Sequence, residues 1–193
     1  MIYELAHIVQ NKMPWVWDLV EWMNSVLFTA RYGNKVVCQE VTQDGLTVRL
    51  VKKEDAKALA AFFAEQPEEC YRWFKPHEFD EKTLVKLIER KSFVMYLVWG
   101  DGRVVGYGFV RCFFMGKGFL GKMVDYRCGG KGIATLIVKT GMDICLRAGI
   151  RMFESINKDN VASMRCSQKA CKVVVVEELE DGDVLVEDFP KES

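Results

Sequence analysis

The 193-residue chain carries 27 Lys and Arg against 27 Asp and Glu; half of it is hydrophobic and 28% is charged. That length fits one domain with room for an added segment, and the balanced charge gives no electrostatic footprint for a nucleic-acid backbone. Seven scattered cysteines without Cys-x-x-Cys spacing, beside two histidines, leave little from which to build a metal site. The expectation is a cytoplasmic protein with reduced thiols, no metal, no nucleic-acid partner, no signal peptide and no membrane span.

Pro14 marks a helix start. Val16, Leu19, Val20, Met23, Val26 and Leu27 fall on one helical face, with Trp15, Trp17, Trp22 and Phe28 around it. Residues 1–45 are therefore expected to form an amphipathic helical extension and a linker or irregular strand. The apolar face would pack on the domain or on a second copy of the chain, giving a homodimer through this helix. It lacks the Lys- and Arg-rich polar side of a membrane-surface helix.

From Leu46 the rhythm changes. Residues 46–51 alternate as a strand, residues 53–66 read as a helix stopped by Pro67, and residues 80–91 form a second helix capped by Asp80. An aromatic segment, 71–79, lies between them. Residues 93–99 and 103–113 form a hairpin around Gly100-Asp101-Gly102, and a third strand follows at Phe119. After a glycine-rich turn and a helix come a strand at 151–156, a helix at 160–169, and a closing hairpin of 173–178 with 183–188.

The organising stretch is Phe119 to Leu146: a strand to Tyr126, the turn Arg127-Cys128-Gly129-Gly130-Lys131-Gly132, then a helix from Ile133. Ile133, Leu136, Ile137, Thr140, Ile144 and Cys145 share one helical face. The first N–H groups of such a helix have no partner inside it and sit at the positive end of its dipole, so they can hold a diphosphate. A P-loop fails here, because Asp125 and Gly132 stand where glycine and Ser or Thr are needed. A dinucleotide fingerprint fits Gly130-Lys131-Gly132 with Glu154 as the ribose acid, but Thr135 replaces its third glycine.

The segment Gly129-Gly130-Lys131-Gly132-Ile133-Ala134 resembles the acyl-CoA loop of the GNAT superfamily of N-acyltransferases, with Gly132 and Ala134 at the two small positions. Gly129 holds the first position of that register, and Arg127 sits two residues earlier. Asn160-Val161-Ala162-Ser163-Met164-Arg165 is similar to the family's Asn-x-x-Ser-x-Arg helix, although Cys171-Lys172 replaces the usual Gly-Phe end. With the order of elements, the resemblance runs from Leu46 to Phe189, and residues 46–193 are expected to form the acyltransferase domain. It implies an α/β (α+β) fold: a mixed, mostly antiparallel sheet of six to seven strands, helices on both faces, and a splay between strands 4 and 5.

The resemblance further implies direct transfer of an acetyl group from acetyl-CoA to a primary amine on a small molecule or peptide. The cofactor would be held by the main chain of Met123, Val124 and Asp125, by Arg127, Gly129, Gly130, Lys131, Gly132, Ile133, Ala134 and Thr135 in the loop, and by Asn160 and Ser163. His77, in the acceptor-side loop and titrating near neutrality, is the leading base, with Glu154 or Glu78 acting through water as alternatives. Where many relatives carry a tyrosine that reaches the CoA sulfur, this chain has Ser167, so Tyr126, Tyr107 or water is left to supply the acid. Cys128, beside the helix start, has no histidine nearby in sequence to activate it. The Pro76-His77-Glu78-Phe79-Asp80 run and the Gly121-Lys122-Met123-Val124-Asp125 strand resemble bacterial GNAT-type proteins associated with surface-polysaccharide assembly, which implies an amino-sugar acceptor. A non-catalytic CoA-binding or scaffold module is the alternative.

Overall fold

The computed structural model describes residues 14–180 and 182–191. Among the described residues five α-helices, α1 (Pro14–Tyr32), α2 (Ala56–Ala64), α3 (Glu81–Glu89), α4 (Ile133–Ala148) and α5 (Val161–Ala170), surround eight strands. The strands are β1 (Val41–Gln43), β2 (Leu46–Leu50), β3 (Phe93–Gly100), β4 (Arg103–Phe113), β5 (Lys117–Val124), β6 (Arg151–Asn157), β7 (Lys172–Glu178) and β8 (Asp183–Phe189). They form one sheet in the order β1-β2-β3-β4-β5-β6-β8-β7, antiparallel except for β5 with β6.

Alternation along the central strands gives the sheet two apolar faces. Val94, Tyr96 and Val98 of β3 join Ile133, Ile137 and Ile144 of α4 on one side. Phe93, Met95 and Leu97 join Leu59 and Phe63 of α2 and Leu84 of α3 on the other. Gly108 of β4 lets α4 settle this close, since a Cβ there would stand 2.5 Å from both Ile137 and Tyr96. The Asp80 side chain caps α3 by accepting from Thr83 N at 3.0 Å.

Two expectations need correction. The sheet has eight strands, because β1 pairs with β2 through the turn Asp44-Gly45. Both turn residues have positive φ, 52° and 76°, as a two-residue hairpin requires.

The second correction concerns α1, which docks the opposite way round. Phe28 and Tyr32 enter the core beside α4, and the buried polar residues Glu21 and Asn24 tie the helix down. Asn24 donates to the Cys112 carbonyl at 2.9 Å and accepts from Phe114 N at 3.0 Å. Glu21 pairs with Arg90 and Arg111. Leu19, Val20, Met23, Val26 and Leu27, expected to pack on the domain or on a second copy, do not pack on the domain and lie exposed on this chain with Trp22. Satisfying Asn24 and Glu21 inside, where an unpaired amide or carboxylate is costly, outweighs burying that aliphatic row. Among the described residues no helix is long and apolar enough to cross a membrane.

Candidate active site

β5 and β6 pair over only three positions, Lys117 with Arg151, Gly118 with Met152 and Phe119 with Phe153. Beyond Phe119 and Phe153 the strands part, and a cleft of about 840 Å³ opens between Leu120–Val124 and Glu154–Asn157. Tyr71, Trp73 and Phe74 wall it on one side, and Asn160, Ser163 and Cys166 of α5 on the other.

The exposed edge of β5 offers main-chain groups to this cleft. Asp125 N donates to Val105 O at 3.0 Å, in a register that sets Met123 opposite Tyr107 and Gly121 opposite Phe109. Main-chain groups alternate between the two edges of a strand, so Asp125, Met123 and Gly121 serve β4 while Val124 and Lys122 point to the gap. Arg151 N bonding Gly116 O at 2.9 Å, six residues before Lys122, has the same parity. Of the three strand residues expected to act through their main chain, Val124 alone has its N–H turned to the cleft.

At the end of β5, Asp125 turns the chain into a single 3-10 turn, Tyr126–Cys128, and so the strand ends two residues earlier than its apolar run suggests. The Asp125 carboxylate is fully buried. It accepts from Arg127 N at 2.8 Å and Arg127 Nε at 2.9 Å, and also binds Arg103. These hydrogen bonds outweigh burial and hold its pKa well below the usual carboxylate range. Arg127, expected as a phosphate ligand, instead spends its guanidinium on Asp125 and Glu65. It frames the turn.

Gly130 and Gly132 then take φ of 76° and 79°, a region that non-glycine residues enter at a cost. Gly132 is the N-cap of α4 and offers no side-chain cap. Among the described residues, no acceptor is found for the N–H groups of residues 129–135. A Cβ added at Gly129, Gly130 or Gly132 would meet nothing within 4 Å. The result is an open cradle of main-chain donors at a helix N-terminus, fit for an anion. Lys131, Gly132, Ile133 and Thr135 border a smaller hollow, of about 530 Å³, with Lys139 and Lys169, while Ala134 lines the main cleft. Asn160 caps α5 by accepting from Ser163 N at 3.2 Å, so it shapes the far wall.

Within the splay lies a buried polar cluster. Lys122 from β5 bridges to Glu154 on β6, and its Nζ also reaches Ser167 Oγ of α5 at 3.1 Å. Ser167 donates to Glu154 Oε1 at 2.6 Å. Burial works against the Lys122 ammonium, yet Glu154 outweighs it and holds the lysine pKa above its ordinary value. Asp188 of β8 has both carboxyl oxygens buried with no N–H or O–H donor among the described residues. Burial first, and the adjoining Glu154 second, push it up to about 8. Two carboxyls in contact bond through one shared proton. One proton shared between Asp188 and Glu154 beside the Lys122 ammonium fits this arrangement.

The three residues expected to be catalytic separate. Glu154 lines the cleft. His77 lines a second cavity, of about 730 Å³, with Glu21, Phe79 and Arg111. Both its ring nitrogens are engaged: Nδ1 lies 2.8 Å from the Glu78 carbonyl and Nε2 lies 3.0 Å from Tyr107 Oη. The carbonyl needs a donor, so the proton sits on Nδ1, and burial pushes the histidine pKa down. Tyr126 is largely exposed beside Arg127, and its N–H is taken by Gln66. Sequence reasoning missed Lys122 and Asp188, which local spacing does not mark: one is the only charged residue inside a strand that is otherwise apolar or glycine after Lys117, the other lies in an acidic tail.

No curated protein matches this sequence. Among solved structures, a ribosomal-protein-S5-alanine acetyltransferase from Vibrio fischeri superposes with a TM-score of 0.66 at 18% identity, covering 79% of this chain and 96% of its own. The GNAT domain of S. lividans PAT gives 0.66 at 17%, covering 75% and 90%. The PaiA N-acetyltransferase from Thermoplasma acidophilum, solved in complex with coenzyme A, gives 0.64 at 15%, covering 76% and 99%. At such identities the likeness shows the fold. The sequence model of the acetyltransferase (GNAT) domain matches residues 45–170, well over half of the chain, and the chain therefore belongs to the GNAT acetyltransferases.

Proposed function

We propose that this protein transfers an acetyl group from acetyl-CoA to a primary amine by direct attack within a ternary complex. The observation that carries this reading is the donor cradle of residues 129–135, which meets the splay at Ala134, beside a β5 edge that is unpaired. The cradle fits a diphosphate, and the edge fits the amide-bearing arm behind it. When bound, acetyl-CoA supplies an activated acetyl carbonyl.

The chain's residues divide the work. The N–H groups at the start of α4 hold the diphosphate. The Val124 N–H is set where charge develops on the acetyl oxygen, and a fixed donor there needs no reorganisation during the reaction. Glu154 takes the amine proton through water. Tyr71, Trp73 and Phe74, with Glu69 and Asp183 at the cleft, give the acceptor an aromatic wall and negative charge. That combination suits a cationic amine on a ring with an apolar face, such as an amino sugar.

The test is calorimetric titration with CoA, followed by assay of free thiol release from acetyl-CoA with amino sugars, polyamines and N-terminal peptides. Binding together with release that depends on one amine class supports the proposal. The scaffold reading is favoured by the burial of Ser167 in the family's tyrosine place, and it would stand if CoA binds and no amine is turned over.

A further inference from the structure

Ser167 cannot meet a departing sulfur: it is fully buried, and its one hydrogen is directed to Glu154 or to the Ser163 carbonyl. Lys122 is placed differently. Its ammonium has three hydrogens, of which one goes to Glu154 and one to Ser167. Its side chain, 8% exposed, borders the cleft from the splayed strand. We propose that Lys122 is the cation that receives the CoA sulfur, with Glu154, Ser167 and Asp188 as positioning residues that aim its third N–H into the cleft. This rests on the acyl-CoA reading above.

The step balances. The amine, bound as its cation, first gives one proton to solvent; its freed nitrogen then bonds the acetyl carbon and loses a second proton through water to Glu154. The C–S bond breaks with its electron pair going to sulfur, which leaves as a thiolate ion-paired to Lys122. Solvent takes the proton from Glu154 and returns one to sulfur as CoA is released. Asp188 makes this possible by remaining neutral: were it ionised beside Glu154, two carboxylates would neutralise the ammonium and repel a thiolate. The groups facing Asp188 are Glu154 on β6, Lys122 on β5, Glu187 beside it, Cys145 on α4 and Cys171 before β7, with Lys191 facing Cys171.

The test needs no acceptor. Bound CoA is titrated by ultraviolet thiolate absorbance on wild type, Lys122→Met, Lys122→Arg, and the charge-neutral pair Lys122→Met with Glu154→Gln, which leaves no unpaired carboxylate to unfold the chain. A thiol pKa at least about one unit below the ordinary value near 8.5 is expected in wild type. It should persist in Lys122→Arg and return to the free value in both methionine variants. An unshifted thiol in wild type, or a lowered one in the double variant, overturns the proposal while leaving CoA binding intact. Failure of wild type to bind CoA removes the acyl-CoA reading and this one with it.

Discussion

Ser167 Oγ lies 2.6 Å from Glu154 Oε1 and 3.1 Å from Lys122 Nζ, closing a polar triangle across the splay. A hydroxyl so placed serves one donor and one acceptor at once. Ser167→Ala should cost about 1–3 kcal/mol, since it strands both partners in a buried site. Ser167→Tyr, which restores the residue type common in relatives, should be worse, because no space is left for a ring at this fully buried position. Urea midpoints for the two variants check this, and a tyrosine variant as stable as wild type would refute the placement.

Asp188 gives stability an unusual pH slope. Held at about 8 in the fold, it stays protonated while its unfolded counterpart ionises near 4. The folded chain then binds more protons through this window, so this group's contribution falls as pH rises from about 4 to about 8. The proton belongs to the Asp188–Glu154 pair, and the groups around that pair stay outside the window: Arg151 holds Glu187 low, burial holds Cys145 and Cys171 up at about 12, and Lys122 lies above it. Asp188→Asn should flatten the slope in thermal melts between pH 5 and 8, and an unchanged slope would count against the shared proton.

What could be read from the chain follows the range of the interactions involved. Strands β2 to β8 and helices α2 to α5 are marked by local periodicity and by Asp-Gly and Asp-capped boundaries, and so is the cradle at Gly132. The orientation of α1 depends on partners 69 to 90 residues away, Arg90, Cys112, Phe114 and Arg111, and β1 is too short for alternation to register. The surroundings of the expected acid–base groups were out of reach for the same reason. His77 has a suitable side chain, but its direction is decided by Tyr107, thirty residues on. The pairing of Lys122 with Glu154 and Asp188 exists only once β5, β6 and β8 are adjacent.

His77 itself carries a prediction. Its pKa in the fold is pushed below the unfolded value near 6.5 by burial, so its contribution is present above that pH and is lost as pH falls below it. His77→Gln should remove part of the acid-side loss of stability. It should leave the pH profile of thiol release unmoved, because the ring lines a different cavity from Glu154. A shifted kinetic profile would return the histidine to the catalytic step.

The cradle can be probed by separating backbone conformation from occupancy. Gly132→Ala places a methyl where nothing stands within 4 Å, but in left-handed backbone at φ 79°, at a cost of about 1 kcal/mol. Its Cβ also intrudes on the space before the α4 donors, so CoA affinity should fall at least about tenfold, more than the stability loss accounts for. Gly132→Glu adds negative charge at the same point and should abolish binding. Arg127→Ala is the contrast: its guanidinium is committed to Asp125 and Glu65, so it should lower thermal stability through the loosened turn while CoA affinity changes less than for Gly132→Ala. Calorimetry on the three variants ranks them, and an Arg127→Ala loss exceeding that of Gly132→Ala would make the arginine a direct phosphate ligand.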